Sequence, residues 1–315
     1  MRPLLMTIAL ALLTAPAPHA QEVPEPGVPL VGENLIKNGS FEQSAVGPVT
    51  PGEVPQGWYR EAYGAADGQL AIVEDAAPGE GAQCVQVTNT PDNNKSGLHG
   101  PLIEIDPTQA YIQFGWMKIG ADSAGSGTIY GRQWFVSEEE TADQEHSRSY
   151  NYTPRPEPVP GEWQFTKQLL LPDPDPDDGR FAADQIPANA HYLRIWALAY
   201  NWVGKGYFDG LSLYRVDYAA MAREELLGAM ERADAAALRE EIEVALKDLP
   251  EGNELGPRAT ELLAELARIE REATQDEQRH VNDWIADQQR TPELLAELDS
   301  LRWELKIEAL LRTAG

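Results

Sequence analysis

Acidic side chains in turn-rich stretches are the first candidates for chemistry in this 315-residue sequence. Glu42 closes the segment NGSFE, in which two turn formers, a hydroxyl and an aromatic ring precede the carboxylate. A carboxylate in such a setting can cap a turn, bind a metal ion or act in catalysis. The segment by itself leaves all three roles open.

A second acidic stretch, LPDPDPDDGRFAAD, imitates a calcium-binding loop. Asp173, Asp175 and Asp177 have the one-three-five spacing of an EF-hand loop, and Asp184 stands at its twelfth position. However, Asp178 occupies the position that the EF-hand loop reserves for glycine, and two prolines stiffen the segment. The pattern therefore favours a solvated acidic turn.

Catalytic signatures are absent from the sequence. It contains no G-x-S-x-G elbow, no HExxH zinc motif and no phosphate-binding glycine loop. The histidines after the N-terminal segment show no metal-ligand spacing. The run VSEEETADQE could supply the paired carboxylates of a glycosidase, but an acidic run is usually a solvated loop and offers no way to choose a pair. We therefore predict a protein that is not an enzyme.

The N-terminus and the composition narrow the location and the partners. Arg2 precedes the apolar run LLMTIALALLTA, which predicts a signal peptide over residues 1–20, cleaved near Ala20, and a secreted or periplasmic protein. No later segment approaches the ~20 apolar residues of a membrane span. A net charge of −26 argues against nucleic acid, because phosphate-binding surfaces need clustered Lys and Arg. The single Cys84 excludes an intrachain disulfide, and its setting GAQCVQV predicts a buried residue in a strand.

Two periodicities divide the rest of the chain. Residues 21–32 form a proline-rich linker. From 33 to 216, short alternating runs rich in aromatic and β-branched residues are separated by Gly, Pro, Asn and Asp, which predicts an antiparallel β-sandwich of the jelly-roll kind. Residues 217–315 are rich in Ala, Leu, Glu and Arg with a helical period, which predicts an all-α domain of three helices.

The three predicted helices cover residues 218–249, 257–289 and a final segment that starts at TPELL. In the final segment Thr291 can cap the helix and Pro292 can take its first position. Its leucines at 294, 298, 301 and 305 form a narrow coiled-coil-like seam. This seam suits a monomeric bundle, a homo-oligomer or a protein partner equally well.

Five segments of the β half, in order, resemble carbohydrate-binding modules of the CenC-like type, the group that contains families 4, 9 and 22. They are NLIKNGSFEQ, PQGWYRE, PLIEIDPTQAYIQFGWMK, GEWQFTKQLLLP and KGYFDGLSLYRV. The resemblance covers residues 33–216 and none of the helical part. It implies a galactose-binding-like jelly roll whose first and last strands lie close together.

The same resemblance implies a structural calcium ion where those two strands meet. Glu42 in NGSFE and Asp209 in YFDG occupy the matching positions, and Ca²⁺ prefers such hard oxygen ligands. The alternative is that both carboxylates cap their own turns. The chain departs from the family pattern at Gly210, where the family commonly has a second acid.

Strand parity predicts a ligand-binding surface. In HYLRIWALAYNW, the residues Leu193, Ile195, Ala197 and Ala199 suit a packed core, and the opposite face carries aromatic rings. Flat rings stack on the apolar faces of sugars, and polar neighbours fix the orientation. The predicted ligand-binding residues are Trp116, Arg132, Trp134, Trp196, Tyr200 and Trp202.

Two other interpretations of these aromatic residues stay open. Some could belong to the core between two sheets, and an exposed aromatic patch could instead receive the apolar stripe of the helices. The leading hypothesis is a secreted, non-catalytic protein that binds a polysaccharide or a cell-surface glycan and holds a structural calcium ion. The alternative is a structural or scaffolding protein whose sandwich docks the helices or a protein partner without binding glycan.

Overall fold

The computed structural model describes residues 25–49, 57–61, 69–91, 95–123, 128–136, 149–152, 159–173, 184–200, 203–275 and 279–314. The predicted signal peptide, part of the linker and Trp202 lie outside these ranges. The fold prediction is confirmed: a β-sandwich is followed by an all-α region. No helix in the described ranges is long and apolar enough to cross a membrane.

The described ranges contain fourteen strands in two sheets. Their bounds are β1 Leu30–Val31, β2 Gly47–Pro48, β3 Tyr59–Glu61, β4 Gln69–Val73, β5 Cys84–Asn89, β6 Lys95–His99, β7 Ile103–Glu104, β8 Tyr111–Ile119, β9 Thr128–Val136, β10 Ser149–Tyr152, β11 Trp163–Pro172, β12 Gln185–Ile186, β13 Tyr192–Tyr200 and β14 Gly204–Val216. The eight-stranded sheet has the order β12-β11-β8-β14-β5-β4-β2, with β1 also on β14. The six-stranded sheet has the order β10-β9-β13-β6-β3, with β7 also on β13.

The core between the sheets follows the period of two. Strand β13 contributes Leu193, Ile195, Ala197 and Ala199, all buried there, as the parity of the sequence predicted. Strand β8 contributes its odd-numbered residues Met117 and Ile119 from the other side. Cys84 is fully buried at the start of β5, so the prediction of a buried residue in a strand is confirmed.

The first and last strands of the sandwich are neighbours. Leu30 pairs with Val216 between β1 and β14, and the Leu35 amide donates to the Leu213 carbonyl at 2.9 Å. The side chain of Asn34 adds a 3.0 Å hydrogen bond to the Ser212 hydroxyl. The two ends of the β half therefore close on each other, as the family resemblance implied.

The C-terminal region holds four described helices, so the prediction of three was wrong. They are α1 Tyr218–Arg232, α2 Ala235–Lys247, α3 Leu255–Thr274 and α4 Val281–Ala314. The first predicted helix divides because Asp234 adopts a left-handed conformation (φ 48°) and its carboxylate caps α2. Asp caps of this kind compete with helical continuation even where neither Gly nor Pro is present.

The boundary between the second and third predicted helices also shifts, since α3 ends at Thr274 and not near residue 289, and α4 begins at Val281. Pro292 lies inside α4 and not at its start, and the Thr291 hydroxyl donates to the Asp287 carbonyl one turn earlier at 2.7 Å. A proline removes only one helical N–H. The helix continues through it because Trp284 before the proline and Leu298 after it are both fully buried in the same core.

The helices pack on the outer face of the eight-stranded sheet. A second apolar cluster joins Ala110, Ile112 and Val216 of the sandwich to all four helices, with Phe114 and Tyr214 at its edge. The leucine seam of α4 (residues 294, 298, 301 and 305) is buried in that cluster. One face of the sandwich is therefore an internal interface between the two halves of the chain.

Candidate functional site

The outer face of the six-stranded sheet brings together several of the predicted ligand-binding residues. Trp196 on β13 pairs with Arg132 on β9 and with His99 on β6. Two residues earlier on β13, Arg194 pairs with Trp134. Directly paired residues share a face, and Trp196 alternates with residues of the inner core. We call this set of residues, 99, 132, 134, 194 and 196, the aromatic–cationic row.

The described side chains of the row are packed. Trp196 is 2% exposed and Arg194 is 6% exposed. The imidazole of His99 lies 5.6 Å from the Trp196 ring at a tilt of 40° and is partly exposed. Solvent therefore reaches the described part of the row at His99, which the sequence reading left out because it considered histidines only as metal ligands.

The structure gives less detail for the remaining predicted ligand residues. Arg132, Trp134 and Tyr200 are placed by strand register alone, and Tyr200 pairs with Thr128 at the far end of β13. Trp202 lies outside the described ranges. The register thus groups Arg132, Trp134 and Trp196, with Tyr200 four residues beyond Trp196 on β13.

Trp116 does not belong to this surface. It lies on β8 in the eight-stranded sheet, where it pairs with Asp209 of β14 and with Phe165 of β11. It is 2% exposed, and its ring meets the Phe165 ring edge-on at 5.3 Å. The period of two is the same in both sheets, so parity could not tell which sheet a strand joins. Trp116 is therefore part of the packing on the sheet that carries the helices.

Glu42 fastens the first strand region to a distant turn. Its Oε1 atom accepts hydrogen bonds from the amides of Ala82 at 2.8 Å and Gln83 at 2.7 Å. Gly81 between β4 and β5 has φ 111°, and a Cβ atom there would lie 2.6 Å from the same oxygen. The close approach of the carboxylate thus requires glycine at this position.

Asp209 fastens the last strand to the same turn from the other side. It is fully buried, and its two carboxylate oxygens accept from the amides of Ala77 and Gly210, each at 2.8 Å. Burial raises the pKa of Asp209 to about 8, because the two hydrogen bonds only partly offset desolvation and the charges of Glu80 and Glu42 add repulsion. Glu42 and Asp209 therefore hold the turn 77–83 between them.

Glu80 is the acidic residue that the sequence reading missed. A Cβ atom on Gly210 would lie 2.4 Å from its carboxyl carbon, so Glu80 fills the space beside the position where the family commonly has a second acid. Burial also raises the pKa of Glu80. A signal existed in the turn glycines of PGEGAQ, but only the folded chain shows which strand this turn meets. We call Glu42, Glu80 and Asp209 the acidic junction.

The acidic junction offers the oxygen ligands that calcium prefers, but its side chains alone do not form a complete coordination site. Within the described ranges, no three Asp, Glu, His or Cys side chains come close enough together to hold a metal ion. Glu42 and Asp209 are already engaged by main-chain amides, so main-chain carbonyls of the turn would have to complete the coordination. The EF-hand-like stretch 174–183 lies outside the described ranges.

No protein-family model matches the sequence, and no curated protein matches it. Solved structures similar to the β half include carbohydrate-binding modules. The CBM22-1 xylan-binding domain of Paenibacillus barcinonensis Xyn10C is 14% identical, with a TM-score of 0.38, over 59% of this chain and 97% of that chain. TmCBM61, solved with β-1,4-galactotriose, is 14% identical, with a TM-score of 0.34, over 58% and 99%. Tailspike protein 4 of bacteriophage CBA120 is 13% identical, with a TM-score of 0.40, over 58% of this chain and only 21% of that domain.

Proposed function

We propose that this protein binds carbohydrate without converting it, through the outer face of the six-stranded sheet. The observation that carries the proposal is the aromatic–cationic row, in which Trp196, Arg132 and His99 are directly paired across three strands. Aromatic rings stack on the C–H faces of sugars, and cationic and imidazole donors bind hydroxyl oxygens. The residues proposed to contact sugar are Arg132, Trp134, Tyr200 and Trp202. Trp196, which is 2% exposed, packs within the row and is not proposed to contact sugar.

The packing of the helices supports this choice of face. The outer face of the eight-stranded sheet is occupied by the helices through residues such as Ile112 and Phe114. A glycan chain laid along a sheet needs a face of its own, and the six-stranded sheet offers the other outer face of the sandwich. Trp116 is accordingly not part of the proposed site.

Binding of the full-length chain to a glycan array and to polysaccharide affinity gels tests the proposal. We expect retardation by at least one polysaccharide, and we expect Trp134→Ala and Trp202→Ala to weaken it by roughly tenfold each, since a stacked ring contributes about 1–1.5 kcal/mol. Trp303→Ala is the matched control, because Trp303 is 54% exposed and lies on α4, outside the proposed face. Failure to bind any glycan, or equal loss in the control, would refute the proposal.

A structural role is the second candidate, and the helix-covered sheet favours it. The cluster between the sandwich and the helices includes Trp284 and Leu298, both fully buried, so the β half already serves as a base for the helical half. In this candidate the row is packing only. A protein that binds no glycan, and whose Trp134→Ala variant folds but melts well below the wild type, would favour it.

The location and the metal are parts of the same proposal. We propose that residues 1–20 direct export and are removed near Ala20, which N-terminal sequencing of the mature protein tests. We also propose that Ca²⁺ binds at the acidic junction, with Glu42 and Asp209 as ligands and Glu80 beside them. The support is the repulsion from Glu80 and Glu42 that contributes to the raised pKa of Asp209, because a divalent cation would relieve it. Main-chain carbonyls of the turn would complete the coordination, since no three described acidic side chains come close enough to hold the ion by themselves.

A further inference from the structure

A cavity of about 640 Å³ lies where the helical half meets one end of the sandwich. The turn between β7 and β8 and the end of β14 form one wall, and the N-terminal ends of α1 and α4 form the other. Its volume lies in the range of sites for small organic molecules. It contains none of the residues of the aromatic–cationic row or of the acidic junction.

The charge of the cavity lining is opposite to that of the chain. The whole sequence has 51 acidic residues against 25 Lys and Arg, yet Arg215, Arg223 and Arg279 line the cavity with two aspartates, Asp106 and Asp217. Both aspartates already accept hydrogen bonds within their own segments. Asp217 caps α1, and Asp106 accepts from the amide and the hydroxyl of Thr108. The cations of this wall thus stand out in a strongly acidic protein.

A buried indole is the centre of the site. Trp284 is fully buried and lines the cavity. The guanidinium of Arg279 lies 4.3 Å from its ring and that of Arg223 lies 5.5 Å away. Arg223 is held in place by a 3.0 Å hydrogen bond to the Gln275 carbonyl, and Arg279 by ion pairs to Asp287 and Glu272. Two positive charges are thereby fixed on one ring.

Two buried donors on this wall lack an acceptor. Among the residues that the structure describes, none accepts a hydrogen bond from the indole N–H of Trp284 or from Nη1 of Arg279. Buried N–H groups almost always have partners, and an orphaned one calls for a bound acceptor. The ion pairs of Arg279 with Asp287 and Glu272 both use Nη2, so Nη1 keeps its capacity to donate.

Two helix N-termini add to the positive potential in the cavity. The helices α1, of 15 residues, and α4, of 34 residues, both begin at the cavity, with Tyr218 and Val281 in its lining. The first turn of a helix presents free amides and a partial positive charge, which favours anions. At the N-terminus of α1, the carboxylate of Asp217 accepts a hydrogen bond from the Ala220 amide. At the N-terminus of α4, the His280 ring accepts a hydrogen bond from one amide, that of Asn282.

From these observations we propose that the cavity binds a small organic molecule through an oxyanion group, a carboxylate or a phosphate or sulfate ester. Arg223 and Arg215 supply charge, and Trp284 and Arg279 supply buried N–H donors for its oxygens. The volume leaves room for a sugar-sized body beside the anionic group. The site goes beyond the proposed glycan-binding face and is separate from it.

Calorimetric titration of the full-length chain tests this inference with four probes: glucuronate, inorganic phosphate, inorganic sulfate and, as the neutral match, glucose. Ionic strength is held constant with sodium chloride, because exposed charges are screened by salt. We expect binding of at least one oxyanion at or below about 1 mM and none of glucose. Binding of glucuronate alone assigns a carboxylate ligand, and binding of phosphate or sulfate alone assigns an ester.

Three variants localise the binding. Arg223→Gln and Arg215→Gln remove charge, and Trp284→Phe removes the donor but keeps a ring; each should weaken oxyanion binding by about tenfold. Arg258→Gln, which breaks an exposed ion pair between α3 and α4, is the control and should bind like the wild type. No binding of any oxyanion by the wild type would overturn the proposal, as would affinities unchanged in all three variants. Trp134→Ala should leave this binding intact, so failure here is distinguishable from failure of the glycan proposal.

Discussion

Removal of the Glu42 carboxylate tests how the sandwich is closed. In the structure its Oε1 atom receives two amides from the turn 77–83, at 2.8 and 2.7 Å. Hydrogen bonds to an ionised acceptor contribute about 1.5–3 kcal/mol each when they are shielded. Glu42 is exposed, and screening reduces the pair to about 2 kcal/mol in total. Since Tm falls by about 2–4 °C per kcal/mol at this domain size, Glu42→Ala should lower Tm by about 4–8 °C in EDTA.

The comparison variant is Glu42→Gln, which keeps an oxygen acceptor and loses the charge. We expect it to melt between Glu42→Ala and the wild type, because neutral acceptors contribute about half as much as ionised ones. Differential scanning calorimetry of all three proteins in EDTA provides the measurement. If Glu42→Ala melts with the wild type in EDTA, the carboxylate does not hold the turn and the reasoning fails.

The same series in calcium separates the metal from the hydrogen bonds. A ligand at 100 times its Kd adds about 2.7 kcal/mol to the native state, which corresponds to a rise in Tm of about 5–11 °C. We expect this rise in the wild type and a smaller one in Glu42→Ala, with magnesium as the control cation. A wild-type Tm that is equal in EDTA and in calcium would rule out the structural ion and leave the hydrogen-bond role intact.

Three further predictions follow from burial and backbone geometry. Gly210→Ala should destabilise the protein by roughly 1–3 kcal/mol in urea unfolding, because the residue has φ 56° and the added carbon would displace the Glu80 carboxyl group, whose carbon would lie 2.4 Å away. Gly252→Ala, at φ 83° with nothing within 4 Å, should cost only about 1 kcal/mol, and equal costs would contradict the steric argument. The Cys84 thiol, whose pKa burial raises far above its usual range, should resist a thiol reagent in the native protein and react once it is unfolded; a fast native reaction would show that the strand opens. Leu298→Ala should cost about 2–5 kcal/mol in thermal unfolding because the side chain is fully buried, whereas Leu310→Ala, 68% exposed on the same helix, should change stability by less than about 0.5 kcal/mol.

Local periodicity sufficed for much of the architecture. The segments WQFTKQLLL and HYLRIWALAY became β11 and β13 within a residue or two, and the inner residues of β13 were identified from parity alone. The leucine seam of α4 is likewise buried as its spacing predicted. These features depend on the geometry of a single strand or helix, which repeats every two or 3.6 residues.

Helix boundaries were harder to predict from the sequence, because they depend on competition between local and tertiary effects. Asp234 ends one helix and caps the next without Gly or Pro, whereas Pro292 fails to end α4. In the first case a side chain offers the backbone another acceptor. In the second, burial of Trp284 and Leu298 on both sides outweighs the lost hydrogen bond.

The sequence by itself determined the classes of structure: a sandwich with alternating faces, an all-α region, and one carboxylate in each of the first and last segments of the sandwich. Tertiary structure alone decided which face each residue serves. Trp116 and Trp196 look alike in sequence, but β8 joins the sheet under the helices and β13 the other one. Likewise, Glu80 meets Gly210, and Arg223 and Arg279 meet Trp284. A period records the direction of a side chain within its own element, whereas the identity of the partner depends on how distant elements pack.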